Sequence, residues 1–164
     1  MSRVARRKRM AAAYSFMDEL MASPTNPMPE AMQNYQMPRI YAGLDSLEKA
    51  PSPTIQDWEM VSDAVNLTET LVREMNIAED NSGLLQDAVN ALAKAGERHL
   101  KTGANIRLDG AGLQAVRGVI EDYGLMLATL PHRTMIQCHR LTERRLIDLQ
   151  NGKRKLHDVV VVRL

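Results

Sequence analysis

The sequence is poor in cysteine and in aromatic residues. Cys138 is the single cysteine, so a disulfide within the chain is impossible, and a reducing compartment is the natural expectation. With one Phe, one Trp and four Tyr, the interior must be filled largely by aliphatic side chains and by the 11 Met residues. Because Met is flexible, it most often fills gaps in a core, and a Met-rich binding surface is the less common alternative.

Long apolar runs are also missing. No stretch approaches the roughly 18 apolar residues that a membrane-spanning helix needs. The basic N-terminus has the charge of a signal peptide, but Asp18 and Glu19 interrupt the apolar stretch that follows too early. Since 164 residues are enough for one folded domain, we expect a soluble cytoplasmic protein that does not contact the membrane.

Charge is divided into three zones along the chain. Residues 1–9, the basic head, have a net charge of +5, residues 10–132 have −9, and residues 133–164 have +5. Basic ends around an acidic body could contact the phosphates of a nucleic acid. Alternatively, the ends fold back and neutralise the body, or the basic head is a frayed, solvated arm. The net charge of +1 favours the second reading, because nucleic-acid-binding domains usually carry a strongly basic balance.

Proline positions and apolar spacing divide the chain into four parts. Residues 1–22 form a basic N-terminal helix or arm, since good helix formers run from Val4 to Ala22. Residues 23–52 form a Pro-rich linker, extended over 23–38, with a short helix over 39–49. Residues 53–152 form a helical bundle, and residues 153–164 form a basic, Val-rich C-terminal tail.

The bundle is predicted from apolar stripes at 3- and 4-residue steps in four successive segments. The predicted N-caps are Ser52 or Thr54, Ser82, Asp109 and Thr129. Gly103 and Gly152 supply two of the predicted C-terminal ends. Short connections between amphipathic helices predict antiparallel neighbours, so the fold class is a mainly α bundle of about four helices.

The C-terminal tail contains a run that favours an extended backbone, because branching at Cβ restricts side-chain freedom in a helix. The run could pair with the sheet edge of a partner, or with its own copy in a homodimer. Alternatively, it packs along the bundle as an apolar strap, which is the commoner arrangement. Its residues are Val159, Val160, Val161 and Val162.

We find no constellation that indicates catalysis, a metal ion or a cofactor. Cys138 and His139 are adjacent and diverge on a helix, and His132 lies two turns from His139, so the spacing does not match a metal site. The acidic pairs are sequence neighbours whose carboxylates also diverge, and the sequence has neither a phosphate-binding P-loop nor a nucleophile elbow. We therefore expect a protein that binds rather than an enzyme.

The densest basic cluster lies near the predicted end of the last helix. Arg140 and Arg144 are one turn apart and share a face that could hold an anion. Cations in this position also complement the helix dipole, which is the more economical explanation. The candidate nucleic-acid contacts are Arg3, Arg6, Arg7, Lys8, Arg9, Arg140, Arg144, Arg145, Lys153, Arg154 and Lys155.

Several segments together resemble a family of short proteins, without assigned function, that are encoded in proteobacterial prophages and integrative elements. They are the basic head over 3–9, Gln56-Asp-Trp58 leading to Ala64-Val-Asn66, and Thr102-Gly103 followed by Leu108-Asp109-Gly110 and the helix to Tyr123. The resemblance carries no binding residues to transfer. It implies a protein such as an inhibitor of host defence (for example an anti-CRISPR), a regulator or a minor virion part. The expected partner is a host or phage protein, or a protein–nucleic acid assembly.

Overall fold

The fold, given by a computed structural model that describes residues 13–80 and 82–153, is built of α-helices. Within these residues there are six α-helices and no β-strand, which confirms the mainly helical prediction. One π-helical turn, Thr70–Glu74, continues directly from the third helix. The α-helices are α1 Phe16–Met21, α2 Glu30–Lys49, α3 Ile55–Glu69, α4 Leu84–Thr102, α5 Gly110–Thr129 and α6 His132–Gln150.

Helix α3 is the centre of the structure, since it packs against α2, α4, α5 and α6. Trp58 on α3 is buried, and its indole Nε1 donates a hydrogen bond to the Leu92 carbonyl of α4 at 3.1 Å. Aliphatic residues from α2 to α5, together with Met135 and Cys138 of α6, complete most of the core around it, as the scarcity of aromatic residues requires. These contacts agree with a bundle.

Methionines lie both in the core and on the surface of the described residues. Met28 and Met135 are fully buried, and five others pack against the edge of the core. Met17 and Met21 are exposed instead and lie together on α1. The prediction that Met mainly fills the core is confirmed for most of the methionines in the described residues, and α1 is the exception.

The predicted helix ends are confirmed at some positions and wrong at others. Thr54 and Asp109 cap α3 and α5 through their side-chain oxygens, and Gly103 ends α4 with a φ of 67°. Ser82 is not the N-cap of α4, because Gly83 holds that position with a φ of 73°. The Ser82 hydroxyl accepts the Leu84 amide, and the Asp80 carboxylate accepts the next two amides. Thr129 caps nothing and belongs to α5 itself.

The prediction of an extended linker over 23–38 is wrong for residues 30–38, which form the first half of α2. Pro38 lies inside this helix, where it removes one backbone hydrogen bond. The helix continues because packing outweighs that loss: Met32 and Met37 contact the core before the proline, and Ile40 and other apolar residues are buried after it.

The N-terminal helix predicted over 4–22 is shorter in the described residues. Ser15 has an extended backbone and starts α1 with a capping box, in which its side chain and that of Asp18 bond each other's backbone amides. Residues 1–12 and 154–164, which include most of the basic head's and the tail's predicted contacts, lie outside the described residues. None of the helices in the described part of the chain is both long and apolar enough to cross a bilayer.

Candidate recognition surface

Helix α1 has no buried residue, and its apolar side chains lie in solvent. Phe16 is 58% exposed, Met17 64%, Leu20 49% and Met21 80%. Together these four residues are called the α1 face. Scattered exposed apolar residues are ordinary, but four on one six-residue helix form a contiguous patch of the kind that marks an interaction site.

Polar contacts hold α1 on α6 in an antiparallel arrangement. Arg133 of α6 donates hydrogen bonds to the carbonyl of Ala22 at 3.2 Å and that of Leu20 at 2.9 Å, at the C-terminal end of α1. Near its start, the Ala13 amide donates to the Glu143 carboxylate at 2.7 Å. Such side-chain bonds satisfy carbonyls that a helix end leaves unpaired. Polar bonds thus fix the position of α1, while its four apolar side chains stay between 49% and 80% exposed.

The contact between α1 and α6 also includes an ion pair and a ring contact. Arg140 pairs with Glu19, and its guanidinium lies 5.3 Å from the centre of the Phe16 ring. Tyr14 meets His139 edge-on, with ring centres 5.1 Å apart. Burial lowers the pKa of His139 to about 4, so this imidazole is neutral at pH 7.

A cleft of about 490 Å³ adjoins the α1 face, between α1, the loop that follows it and the start of α6. Met21 forms part of both the α1 face and the cleft. Pro27, Pro29 and the buried side chain of Ile136 supply further apolar walls. The prolines restrict the backbone of the loop. The backbone amides of residues 132 and 133 in α6 also donate hydrogen bonds to carbonyls of this loop, so the cleft is preformed.

Polar groups in the cleft include Asp18 and His132. Hydrogen bonds from the Ser15 side chain and backbone amide lower the pKa of Asp18, so its carboxylate is charged at neutral pH. Both bonds go to Oδ2 of Asp18, at 2.7 Å. The Nε2 atom of His132 is buried and makes no hydrogen bond within the described residues. The cleft therefore combines apolar walls with a negative charge.

The predicted basic cluster on α6 is divided by the fold. Arg144 and Lys153 are exposed, whereas Arg140 is half-buried in its pair with Glu19. Arg145 is buried and bonds Glu69 of α3, so the prediction that it contacts a nucleic acid is wrong. Five predicted contacts of the basic head, two of the tail, and the Val run 159–162 lie outside the described residues.

Cys138, which the sequence analysis considered for a metal site, is closed off from solvent. Cys138 is buried, its thiol donates to the Leu67 carbonyl at 3.3 Å, and burial raises its pKa to about 12. A thiol held protonated in this way is a poor nucleophile and metal ligand. Among residues 13–80 and 82–153, no group of His, Cys, Asp and Glu is placed to hold a metal ion.

The sequence analysis missed the α1 face, although a local signal was present. Ser15 and Asp18 have the spacing of a capping box, which marks a new helix start rather than the middle of a helix over 4–22. No protein-family model, curated protein or solved structure matches the chain in our comparisons. The α1 face and its cleft are therefore the features from which a function can be proposed.

Proposed function

We propose that this chain is a non-enzymatic helical binding protein, of phage or mobile-element origin, that contacts a host protein through the α1 face and its cleft. The observation that carries the proposal is the exposure of Phe16, Met17, Leu20 and Met21 on one short helix. An inhibitor of host defence, such as an anti-CRISPR, is one concrete form of this function. A regulator or a minor phage structural protein would use the same kind of surface.

Physical reasons connect this surface to a protein partner. Burying exposed apolar area is the main favourable term in protein association, and anchors are strongest beside a pocket that excludes water. Met17 and Met21 add flexible, polarizable side chains that can fit more than one partner shape. The polar bonds to α6 hold the face in place, which lowers the entropy lost on binding.

Affinity capture with matched variants tests the proposal. The protein is immobilised as wild type, as Met17→Asp/Met21→Asp, and as Leu100→Asp/Leu125→Asp. Leu100 and Leu125 are 67% and 66% exposed but lie on α4 and α5, so they control for the loss of any exposed apolar residue. Lysate of a proteobacterium is the source of partners.

We expect the same protein to be retained by the wild type and by the α4/α5 control, and to be lost from the α1 variant. Capture that is equal for both double variants would contradict the role of the α1 face. Recovery of no specific protein, even at low salt, would contradict the proposed function itself.

Nucleic-acid binding is a second candidate, favoured by where the basic segments join the body. Ala13, which follows the basic head by four residues, is bonded to Glu143 near the last turns of α6. From Glu143 to Gln150 is about 10 Å along a helix axis. Exposed Arg144 lies on this stretch and exposed Lys153 lies three residues beyond it, so we expect both positively charged segments to join the body at one end of α6.

Salt dependence tests this candidate. Fluorescence anisotropy with labelled DNA and RNA should show binding in dilute buffer that weakens steeply as salt rises, because bound Lys and Arg release counterions. Deleting residues 1–9, or changing Arg144 and Lys153 to Ala, should reduce the slope of binding affinity against salt concentration. The control Lys94→Ala/Lys101→Ala removes two charges from α4 and should leave it unchanged. Absence of binding to either nucleic acid in dilute buffer would reject the candidate.

A further inference from the structure

We infer that the partner segment bound in the cleft carries an apolar side chain next to a lysine or arginine. The inference rests on the proposed function, because it specifies the chemistry of the partner that the α1 face and its cleft would bind. It comes from one juxtaposition: the apolar walls of the cleft meet an ionised carboxylate, that of Asp18, which lacks a cationic partner among the described residues.

The apolar half of the recognition comes from the walls of the cleft. Ile136 and Ala22 are buried residues that line the cleft, while Met21 and the rings of Pro27 and Pro29 line its sides. A volume of about 490 Å³ lies in the range of pockets that hold small organic groups. It can therefore accept one aliphatic or aromatic side chain of a partner with room for neighbouring atoms.

The charged half comes from Asp18. Its Oδ2 atom accepts both bonds from Ser15, and no bond to Oδ1 is present in the described part of the chain. The two nearby arginines of α6 are engaged elsewhere, Arg140 by Glu19 and Arg133 by backbone carbonyls. Asp18 thus presents a negative charge that a lysine or arginine of the partner can pair with, and that repels a carboxylate or a phosphate.

The size of the charge effect follows from the exposure of Asp18. Ion pairs in solvent are weak, and a favourable one strengthens binding by up to about fivefold. The burial of the apolar side chain supplies most of the affinity, and Asp18 supplies the preference among partners. A nucleic acid does not fit this cleft, because its phosphates would approach the Asp18 carboxylate.

Three blocked dipeptides serve as probes: acetyl-Leu-Arg-amide, acetyl-Leu-Gln-amide and acetyl-Leu-Glu-amide. Binding to the full chain is followed by NMR through the amide shifts of the cleft residues. We expect the Arg probe to bind about fivefold more tightly than the Glu probe, with the Gln probe between them. Asp18→Asn should remove this order of affinities, although all three probes should still bind through their leucine. The control variant Asp122→Asn, on α5, should preserve the order.

A salt series on the wild type guards against loss of α1 in the Asp18 variant. At 1 M NaCl the preference for the Arg probe should nearly vanish, whereas binding of the Gln probe persists. Equal affinity for all three probes in dilute buffer, or shifts outside the cleft only, would overturn the inference. Concentration-dependent shifts of the cleft residues without any probe would also overturn it, because they would identify a second copy of the chain as the occupant.

The two proposals fail separately. If a lysate protein is retained by the wild type and lost from the Met17→Asp/Met21→Asp variant, yet the dipeptides show no order, only the partner chemistry is wrong. If the dipeptides bind in the expected order but no lysate protein is retained, the cleft has the inferred preference and the proposed function is wrong.

Discussion

Arg145 of α6 and Glu69 of α3 form an ion pair inside the bundle, with Nη2 of the arginine 2.6 Å from Oε2 of the glutamate. The two side chains are 4% and 0% exposed. Arg145 also donates to the hydroxyl of Thr70 at 2.7 Å, and Thr70 contacts Thr142 of α6. The pair thus connects α6 to the start of the π-helical turn that follows α3.

Removing one member of this pair should be costly. Arg145→Met leaves the Glu69 carboxylate buried without its principal partner, and we expect the free energy of unfolding to fall by about 3–5 kcal/mol. Urea unfolding followed by circular dichroism measures the change. Arg144→Met, an exposed neighbour, should change it by less than about 0.5 kcal/mol.

The double variant Glu69→Leu/Arg145→Met separates two contributions to the free energy of unfolding: the cost of a buried charge without a partner, and the net contribution of the ion pair. Because both charges are removed together, we expect it to regain most of the stability that Arg145→Met loses. A double variant as unstable as the single one would show that the pair itself stabilises the bundle.

The neutral imidazole of His139 should make stability depend on pH. Burial lowers its pKa from 6.5 to about 4, so between these values the unfolded chain binds a proton that the folded chain excludes. Stability is therefore fully present above pH 6.5 and is lost as pH falls towards 4, by about 3 kcal/mol from this group.

Urea unfolding at pH 7 and pH 5 tests this pH dependence. The variant His139→Phe should show a smaller difference between the two values than the wild type. His99→Gln, near the end of α4, serves as the control and should keep the wild-type difference. If His139→Phe retains the full difference, another group is responsible for it.

The structure identifies Thr54, and not Ser52, as the N-cap of α3, and substitutions at the two positions test this. The Thr54 side chain accepts the Asp57 amide, and Asp57 in turn accepts the Thr54 amide at 2.9 Å. Thr54→Ala should lower the free energy of unfolding by about 1 kcal/mol, as loss of an N-cap usually does. Ser52→Ala should have almost no effect. The reverse order in thermal unfolding would place the cap at Ser52.

Arg133 is expected to hold α1 in place. Arg133→Ala removes the bonds to the Leu20 and Ala22 carbonyls, which join the end of α1 to α6. We expect faster hydrogen exchange of the α1 amides with little change in the melting temperature of the bundle, because α1 buries no residue of its own. Unchanged exchange would mean that the other α1–α6 contacts suffice.

The sequence was most informative where one local rule decided the structure. The Thr54 and Asp109 caps and the end of α4 at Gly103 follow from chemistry within a single turn. Residues 30–38 were predicted wrongly because the four prolines from 24 to 38 indicated an extended linker. Packing on the core, which local propensity does not include, decides that segment.

The candidate site depended more strongly on tertiary structure. Arg144 and Arg145 were both assigned to the basic cluster, yet Arg145 bonds Glu69 inside the bundle and Arg144 is exposed. The cleft joins the loop after α1 to the start of α6, more than 100 residues later in the chain. Only the fold brings these segments together, whereas the apolar character of α1 was already visible in its six residues.

Site-specific photocrosslinking tests most directly whether the α1 face is the recognition surface. The photoreactive residue p-benzoylphenylalanine replaces Met17 or Met21 in one set of variants, and Leu100 or Leu125 in the other. After irradiation in bacterial lysate, mass spectrometry identifies the attached proteins. We expect one protein to be crosslinked from positions 17 and 21 and not from 100 or 125. The same protein, at equal yield, from all four positions would contradict the account.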